Sequence, residues 1–226
     1  MDSRGAESVP LEAHVEVLRG RCEAVCRLQG GYPSYGDELA VFESYVREYR
    51  YFLGSGDTEF LQDPPLGEGN EHQVWWEPAR QNVVKATWPG FFGKLVLYAS
   101  DESPNASPVG YLERWLLHCQ LFGDSVEFLG VIDDDDGFRL VIRQCGVEGC
   151  PADEAQIREF FTTGGWAPFQ IGDDLAFYDE ANGVVISDTH PGNIVRMADG
   201  LFAPIDLRVQ RLSSGQVDAV ERLVGD

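Results

Sequence analysis

The stretch Val184-Val-Ile-Ser187-Asp188-Thr-His190-Pro-Gly-Asn193-Ile-Val195 decides how the chain is read. A run of apolar, mostly β-branched residues ends abruptly in polar ones, and a second apolar pair follows a His-Pro-Gly turn. Short apolar runs bounded by turn residues predict a strand, a tight loop and another strand. The loop is bracketed by Asp188 and Asn193, and downstream Pro204-Ile-Asp206-Leu sets a further carboxylate at the end of a strand-like segment. Phosphoryl transfer needs such parts: a carboxylate beside the attacking hydroxyl, and oxygen ligands for Mg²⁺ on a stiff loop. A lone Asp-x-x-x-x-Asn is equally an ordinary turn, so the rest of the chain has to separate the two readings.

Upstream, Val83-Val-Lys85 reads as a short strand with a lysine flanked by apolar residues, able to hold an ammonium over phosphates. The same pattern also fits a lysine projecting from the polar face of an edge strand. Gly67-Glu-Gly69-Asn-Glu71-His72 lies between apparent strands, where glycines let a backbone approach phosphates and offer N–H donors. A tight hairpin turn explains that segment as well. Glu113, on the helix that follows, is the candidate partner for Lys85, with a solvated helix face beside Arg114 as the alternative. Glu102, in a Ser/Pro loop, is the weaker substitute.

Around these segments the pattern is helices first, then strands. Val9 to Leu28 repeats apolar residues at helical spacing and stops at Gly30-Gly31-Tyr-Pro33. A second helix is expected from Asp37, as N-cap, to Gly54. Leu66 to Trp76, Asn82 to Trp88 and Lys94 to Ala99 read as strands. Ser107-Pro108 opens a helix that closes near Gly123. Val126–Ile132 and Phe138–Arg143 form a hairpin across Asp133-Asp-Asp-Asp-Gly137, a solvated turn without the distal Glu of a calcium loop. Asp153–Phe161 is a short helix, Ile194–Met197 and Leu201–Ile205 are strands, and Gln216–Leu223 is helical. That order predicts an α+β fold with a site between two lobes, not an alternating βαβ sheet.

Composition narrows the partners. A net charge of −21 repels phosphate backbones and anionic membranes, which argues against nucleic-acid binding while leaving room for one local nucleotide pocket. No run approaches the ~20 apolar residues of a membrane helix, and Met1-Asp-Ser-Arg-Gly-Ala-Glu lacks the features of a signal peptide. Five cysteines (22, 26, 119, 145 and 150), an odd count, read as reduced thiols of a cytoplasmic protein. No histidine stands at metal-ligand spacing to them, so no zinc site is expected.

The ordered set of glycine loop, strand lysine, helix glutamate, Asp-x-x-x-x-Asn and strand-end Asp resembles the protein-kinase superfold. Ser187-Asp-Thr-His-Pro-Gly-Asn193 is similar to the catalytic loop of aminoglycoside and choline phosphotransferases. Gly69-Asn-Glu71-His72-Gln-Val74, Tyr111-Leu-Glu113-Arg, Leu121-Phe-Gly-Asp124 and Ile186-Ser-Asp-Thr-His-Pro-Gly-Asn193 together resemble the kinase-like domain of phage and mobile-element polyvalent proteins, over roughly residues 60 to 210.

The resemblance implies a minimal kinase-like fold: an N-terminal helical extension (1–60), a sheet lobe (about 61–143) and a truncated C-terminal lobe (about 144–226). It implies ATP and Mg²⁺, with Gly67, Gly69, His72 and Lys85 at the nucleotide and Glu113 orienting Lys85. Asp188 then serves as base or hydroxyl-orienting group, His190 braces the loop, and Asn193 and Asp206 hold the metal. The acceptor, a protein or a small molecule, is left open. So are a nucleotide-binding module without turnover and transfer of AMP in place of phosphate. Three departures stand out. His72 occupies the position of a third loop glycine, Ser187 that of the residue before the catalytic Asp, and Leu207-Arg208 follows Asp206 where kinases keep Phe-Gly.

Overall fold

The computed structural model describes residues 9–29, 32–98 and 103–224. In chain order it has α1 (Leu11–Gln29), α2 (Tyr35–Tyr49), β1 (Gly67–Glu68), β2 (His72–Glu77), β3 (Asn82–Thr87), α3 (Pro108–Phe122), β4 (Val126–Asp134), β5 (Gly137–Cys145), β6 (Cys150–Pro151), α4 (Glu154–Thr163), β7 (Ala167–Ile171), β8 (Asp174–Asp179), β9 (Val184–Ser187), β10 (Ile194–Arg196), β11 (Phe202–Pro204), β12 (Arg208–Arg211) and α5 (Ser214–Val224). Short 3₁₀ turns cover Glu59–Gln62 and Pro191–Asn193. The class is α+β, as the element order predicts. The chain divides into two compact units: residues 1–93, 105–119 and 124–146, and residues 94–104, 120–123 and 147–226.

In the first unit a five-stranded antiparallel sheet runs in the order β1-β2-β3-β5-β4. Side chains alternate across β3. Val84 and Ala86 join Trp75 and Val141 on one face, closed by Leu53, Phe60 and Leu61. The other face, with Leu140 and Ile142, packs on α1, α2 and α3 through Leu18, Phe42, Leu112 and Trp115. The N-terminal helices are thus part of this unit's main core. Gly130, at the register shift of β4, has φ 142°, and a Cβ there would lie 2.3 Å from the Tyr51 carbonyl oxygen. The close approach lets residues 51–53 hydrogen-bond along Val131.

Local chemistry moves two expected boundaries. Ser34, not Asp37, caps α2: its hydroxyl accepts from the Asp37 N–H while the Asp37 carboxylate accepts from the Ser34 N–H, a reciprocal capping box. Residues 94–98 are not a strand. The Leu95 N–H donates to the Pro104 carbonyl, and the Val96 and Leu97 N–H groups donate to the Gln210 side chain. Gly30, Gly31 and Ala99, which fall in the expected helix stop and strand end, lie outside the described residues.

The second unit has a four-stranded sheet, β12-β9-β8-β7, and a three-stranded one, β11-β10-β6, both antiparallel. β9 is buried along its whole length because β8 and β12 flank it and both faces are covered. Val96, Phe169, Tyr178, Val185 and Val220 form the core over which α5 packs. Strands β7, β8 and β12 carry no strong alternation in the sequence and were not expected.

Candidate active site

β9 delivers Asp188 to the surface at its carboxyl end, and the loop beyond it is braced at every polar position. Asp188 adopts φ 62°, a left-handed conformation rare for residues with a side chain and most tolerated by Asn and Asp. Three contacts hold the loop in that conformation. The Asn193 Nδ2 donates to the Asp188 carbonyl oxygen at 2.9 Å. The Thr189 hydroxyl donates to the Leu175 carbonyl at 2.8 Å. His190 caps the 3₁₀ turn, its Nδ1 accepting from the Gly192 N–H at 3.0 Å. A neutral His190 ring therefore carries its proton on Nε2, the nitrogen that faces Asp188 Oδ1 at 3.6 Å.

Asn193 and Asp206 are brought to the same end of a hairpin. β10 pairs with β11 so that Ile194 opposes Pro204, and the Ile205 N–H donates to the Asn193 carbonyl at 2.9 Å, extending the register to the residue before Asp206. With the Asn193 amide nitrogen spent on Asp188, the side chain's other polar atom is the acceptor Oδ1. A carboxamide and a carboxylate oxygen are the hard donors that Mg²⁺ takes. No group of three or more His, Cys, Asp or Glu suited to a metal occurs among the described residues.

Arg208 is a site residue that motif reading missed. β12 runs antiparallel to β9 with Arg208 opposite Ser187, which carries the guanidinium to 3.4 Å from Asp188 Oδ2. The signal was the Leu207-Arg208 pair standing in place of Phe-Gly. Only the strand pairing reveals that this arginine turns back onto Asp188, beside the serine that replaces the usual residue there. A cavity of about 380 Å³ opens beside the loop. Its walls are Asp188, Thr189, His190 and Pro191, residues Glu154, Ile157 and Arg158 of α4, and residues 170 and 173–175 of the β7–β8 hairpin. Four of these residues, Glu154, Asp173, Asp174 and Asp188, are acidic.

In the first unit Lys85 lies on β3, the middle strand of the sheet, and is 4% exposed. The edge-strand alternative for this lysine is thereby excluded. Its Nζ sits 4.6 Å from the centre of the Trp115 ring on α3, within cation–π range. Glu113 does not pair with it: its carboxylate is taken by Arg19 of α1 at 2.5 Å, on a half-exposed face. The helix turns Glu113 outward because Leu112, Trp115 and Leu116 own the buried stripe, so Arg114, not Glu113, faces the sheet side. Arg114 pairs with Glu71 at 2.6 Å, both side chains being under 10% exposed. The alternative carboxylate, Glu102, lies outside the described residues.

The glycine segment forms the β1–β2 hairpin, with the Gly69 N–H donating to the His72 carbonyl at 2.8 Å. Neither Gly67 nor Gly69 has a positive φ, and a Cβ on either would meet nothing closer than 3.8 Å. Neither a positive φ nor a close contact therefore requires glycine at these two positions. His72 does not face the hairpin's outer side. It is buried, with Nε2 2.9 Å from the Tyr111 hydroxyl.

No helix among the described residues is long and apolar enough to cross a membrane. Comparison with curated proteins and with solved structures returns no match. A family profile described as "Serine/Threonine/Tyrosine Kinase found in polyvalent proteins" matches residues 37–212. That span includes the hairpin, Lys85, the Asp188–Asn193 loop and Asp206, and it supports a kinase-like phosphotransferase function. The chain belongs to this family of kinases found in polyvalent proteins.

Proposed function

We propose that the protein transfers a phosphoryl group from ATP, with Mg²⁺, to a hydroxyl-bearing acceptor presented in the cavity beside Asp188. The observation that carries this reading is the Asp188 loop itself. Its left-handed aspartate is held by Asn193, Thr189 and His190 and flanked by Arg208. Strained backbone of this kind persists where the surroundings over-determine it, and it clusters at working sites. Asp188 accepts the hydrogen bond of the acceptor hydroxyl, orients its oxygen and takes its proton as the new O–P bond forms and the bond from the γ-phosphorus to the bridging oxygen breaks, releasing ADP. Arg208 and His190 fix the carboxylate from two sides. Asn193 and Asp206 are assigned to the metal, which when bound neutralises charge on the phosphates. Lys85 and the backbone of the Gly67–Gly69 hairpin are assigned to the nucleotide phosphates. The acid-lined cavity favours a cationic acceptor.

Replacing Asp188 by Asn lowers Mg·ATP turnover about 10²–10⁴-fold, the usual contribution of a positioned acid or base. Calorimetric Mg·ATP affinity stays close to the parent's. Unchanged turnover in a folded Asp188→Asn protein refutes the assignment. One observation favours a second reading, a nucleotide-holding module without turnover: Glu113 is committed to Arg19, so the expected Lys85–Glu113 pair is not made. Mass spectrometry of the parent after incubation with Mg·ATP separates these readings. An added phosphate supports transfer, an added AMP supports nucleotidyl transfer, and an unmodified chain with no ATP consumed supports the module.

A further inference from the structure

We infer that the buried Glu71–Arg114 pair positions the glycine hairpin for the nucleotide, in the place where a Lys85–Glu113 pair was expected. The inference deepens the proposed function and rests on it.

The hairpin lies at the edge of the sheet. β1 has two residues, both exposed, and pairs with β2 at Gly67 opposite Val74 and Glu68 opposite Gln73, with the Gly69 N–H donating to the His72 carbonyl and the Trp88 Nε1–H to the Gly69 carbonyl. A two-residue edge strand frays readily. At its inner end, however, the chain is fastened to α3 by two adjacent residues. Glu71 pairs with Arg114 at 2.6 Å and His72 meets Tyr111 at 2.9 Å. The residues so joined are those of the Gly69-Asn-Glu71-His72 and Tyr111-Leu-Glu-Arg114 motifs, which makes the two motifs a mated pair.

The fastening is held in one place. The Arg114 guanidinium lies 5.7 Å from the Tyr111 ring centre and 5.3 Å from that of Trp115, the ring against which the Lys85 ammonium also rests. On the opposite side Gly93, with φ 84°, closes against the carboxylate. A Cβ there would lie 2.7 Å from Glu71 Oε2, so a side chain at this position would push the carboxylate from its present place beside Arg114. A buried ion pair adds little net stability over a well-packed apolar pair, and its best-attested use is to specify one arrangement. Here that arrangement links the hairpin backbone and, through Trp115, the Lys85 ammonium to one helix.

The test uses the full chain with Glu71→Met and Arg114→Leu combined, an apolar pair of similar bulk. Calorimetry with Mg·ATP and amide hydrogen exchange over residues 66–74 are compared with the parent. The positioning role requires the double variant to unfold at the parent's denaturant midpoint while hairpin exchange accelerates at least tenfold and the Mg·ATP Kd rises at least tenfold. A folded double variant with parental exchange and parental Kd overturns it. If the double variant does not fold, Arg114→Lys takes its place, keeping the charge without the planar group over Tyr111 and Trp115. A parent that binds no Mg·ATP sinks the proposed function instead. Hairpin exchange then decides the fastening alone, and an unchanged rate overturns it.

Discussion

At the scale of single residues, charge and burial are set by neighbours far off in sequence. Arg208 reaches Asp188 only because β12 pairs with β9, and Glu113 meets Arg19, 94 positions away. Glu38 shows what such burial does to titration. Burial pushes its carboxyl above the ordinary value of 4.5; the Ser107 hydroxyl, which donates to it, opposes that shift, and Glu113 and Asp37 add repulsion. The folded chain therefore binds this proton more tightly than the unfolded chain does. Its contribution to stability is greatest below the ordinary glutamate range and declines as pH rises through the raised value. Glu38→Gln is expected to remove that decline. The variant should be more stable than the parent at pH 7 and should converge with it near pH 4, as read from denaturant midpoints across the range.

At the scale of elements, caps place the walls of the site. Asp153 caps α4 by accepting from the Gln156 N–H at 2.8 Å, and the Gln156 side chain accepts in return from the Asp153 N–H at 3.1 Å. From that fixed start, one face of α4 buries Ile157 and Phe161 while Glu154 and Arg158 reach the cavity beside Asp188. Asp153→Ala should cost about 0.5–2 kcal/mol in chemical denaturation, the usual range for losing such a cap. A loss well outside that range would show that the helix start is held by something other than the box. Asp-x-x-Gln was readable as a cap in the sequence. The expected Lys94–Ala99 strand was not readable in the same way, because Val96 and Leu97 are held by backbone bonds to Gln210 and by packing in the core under α5, not by strand pairing.

At the scale of the molecule, the thiols report on the first unit. Cys145 and Cys150 are exposed, while Cys22 is buried in the main core and Cys119 packs against it. Burial, reinforced by nearby carboxylates, pushes the Cys22 and Cys119 thiols up to about 11 each. At pH 8 both are held as unreactive thiols, since the thiolate is the reacting form. A disulfide reagent at that pH should modify Cys145 and Cys150 within minutes and reach Cys22 and Cys119 only as denaturant opens the first unit. Modification of Cys22 in the folded chain at the rate of Cys145 would contradict the packing of α1.

The sequence by itself determined the α+β class, the strand–loop–strand around Asp188 and the helix after Ser107. Each rests on local periodicity, turn chemistry or capping, which act over a few residues. Tertiary structure alone decided that Lys85 is central and buried, that Arg114 and not Glu113 turns toward the sheet, and that Arg208 closes on Asp188. Those outcomes depend on strand order, on which helical stripe the core claims and on cross-strand register. None of them is a local property of the chain, so no motif could announce them.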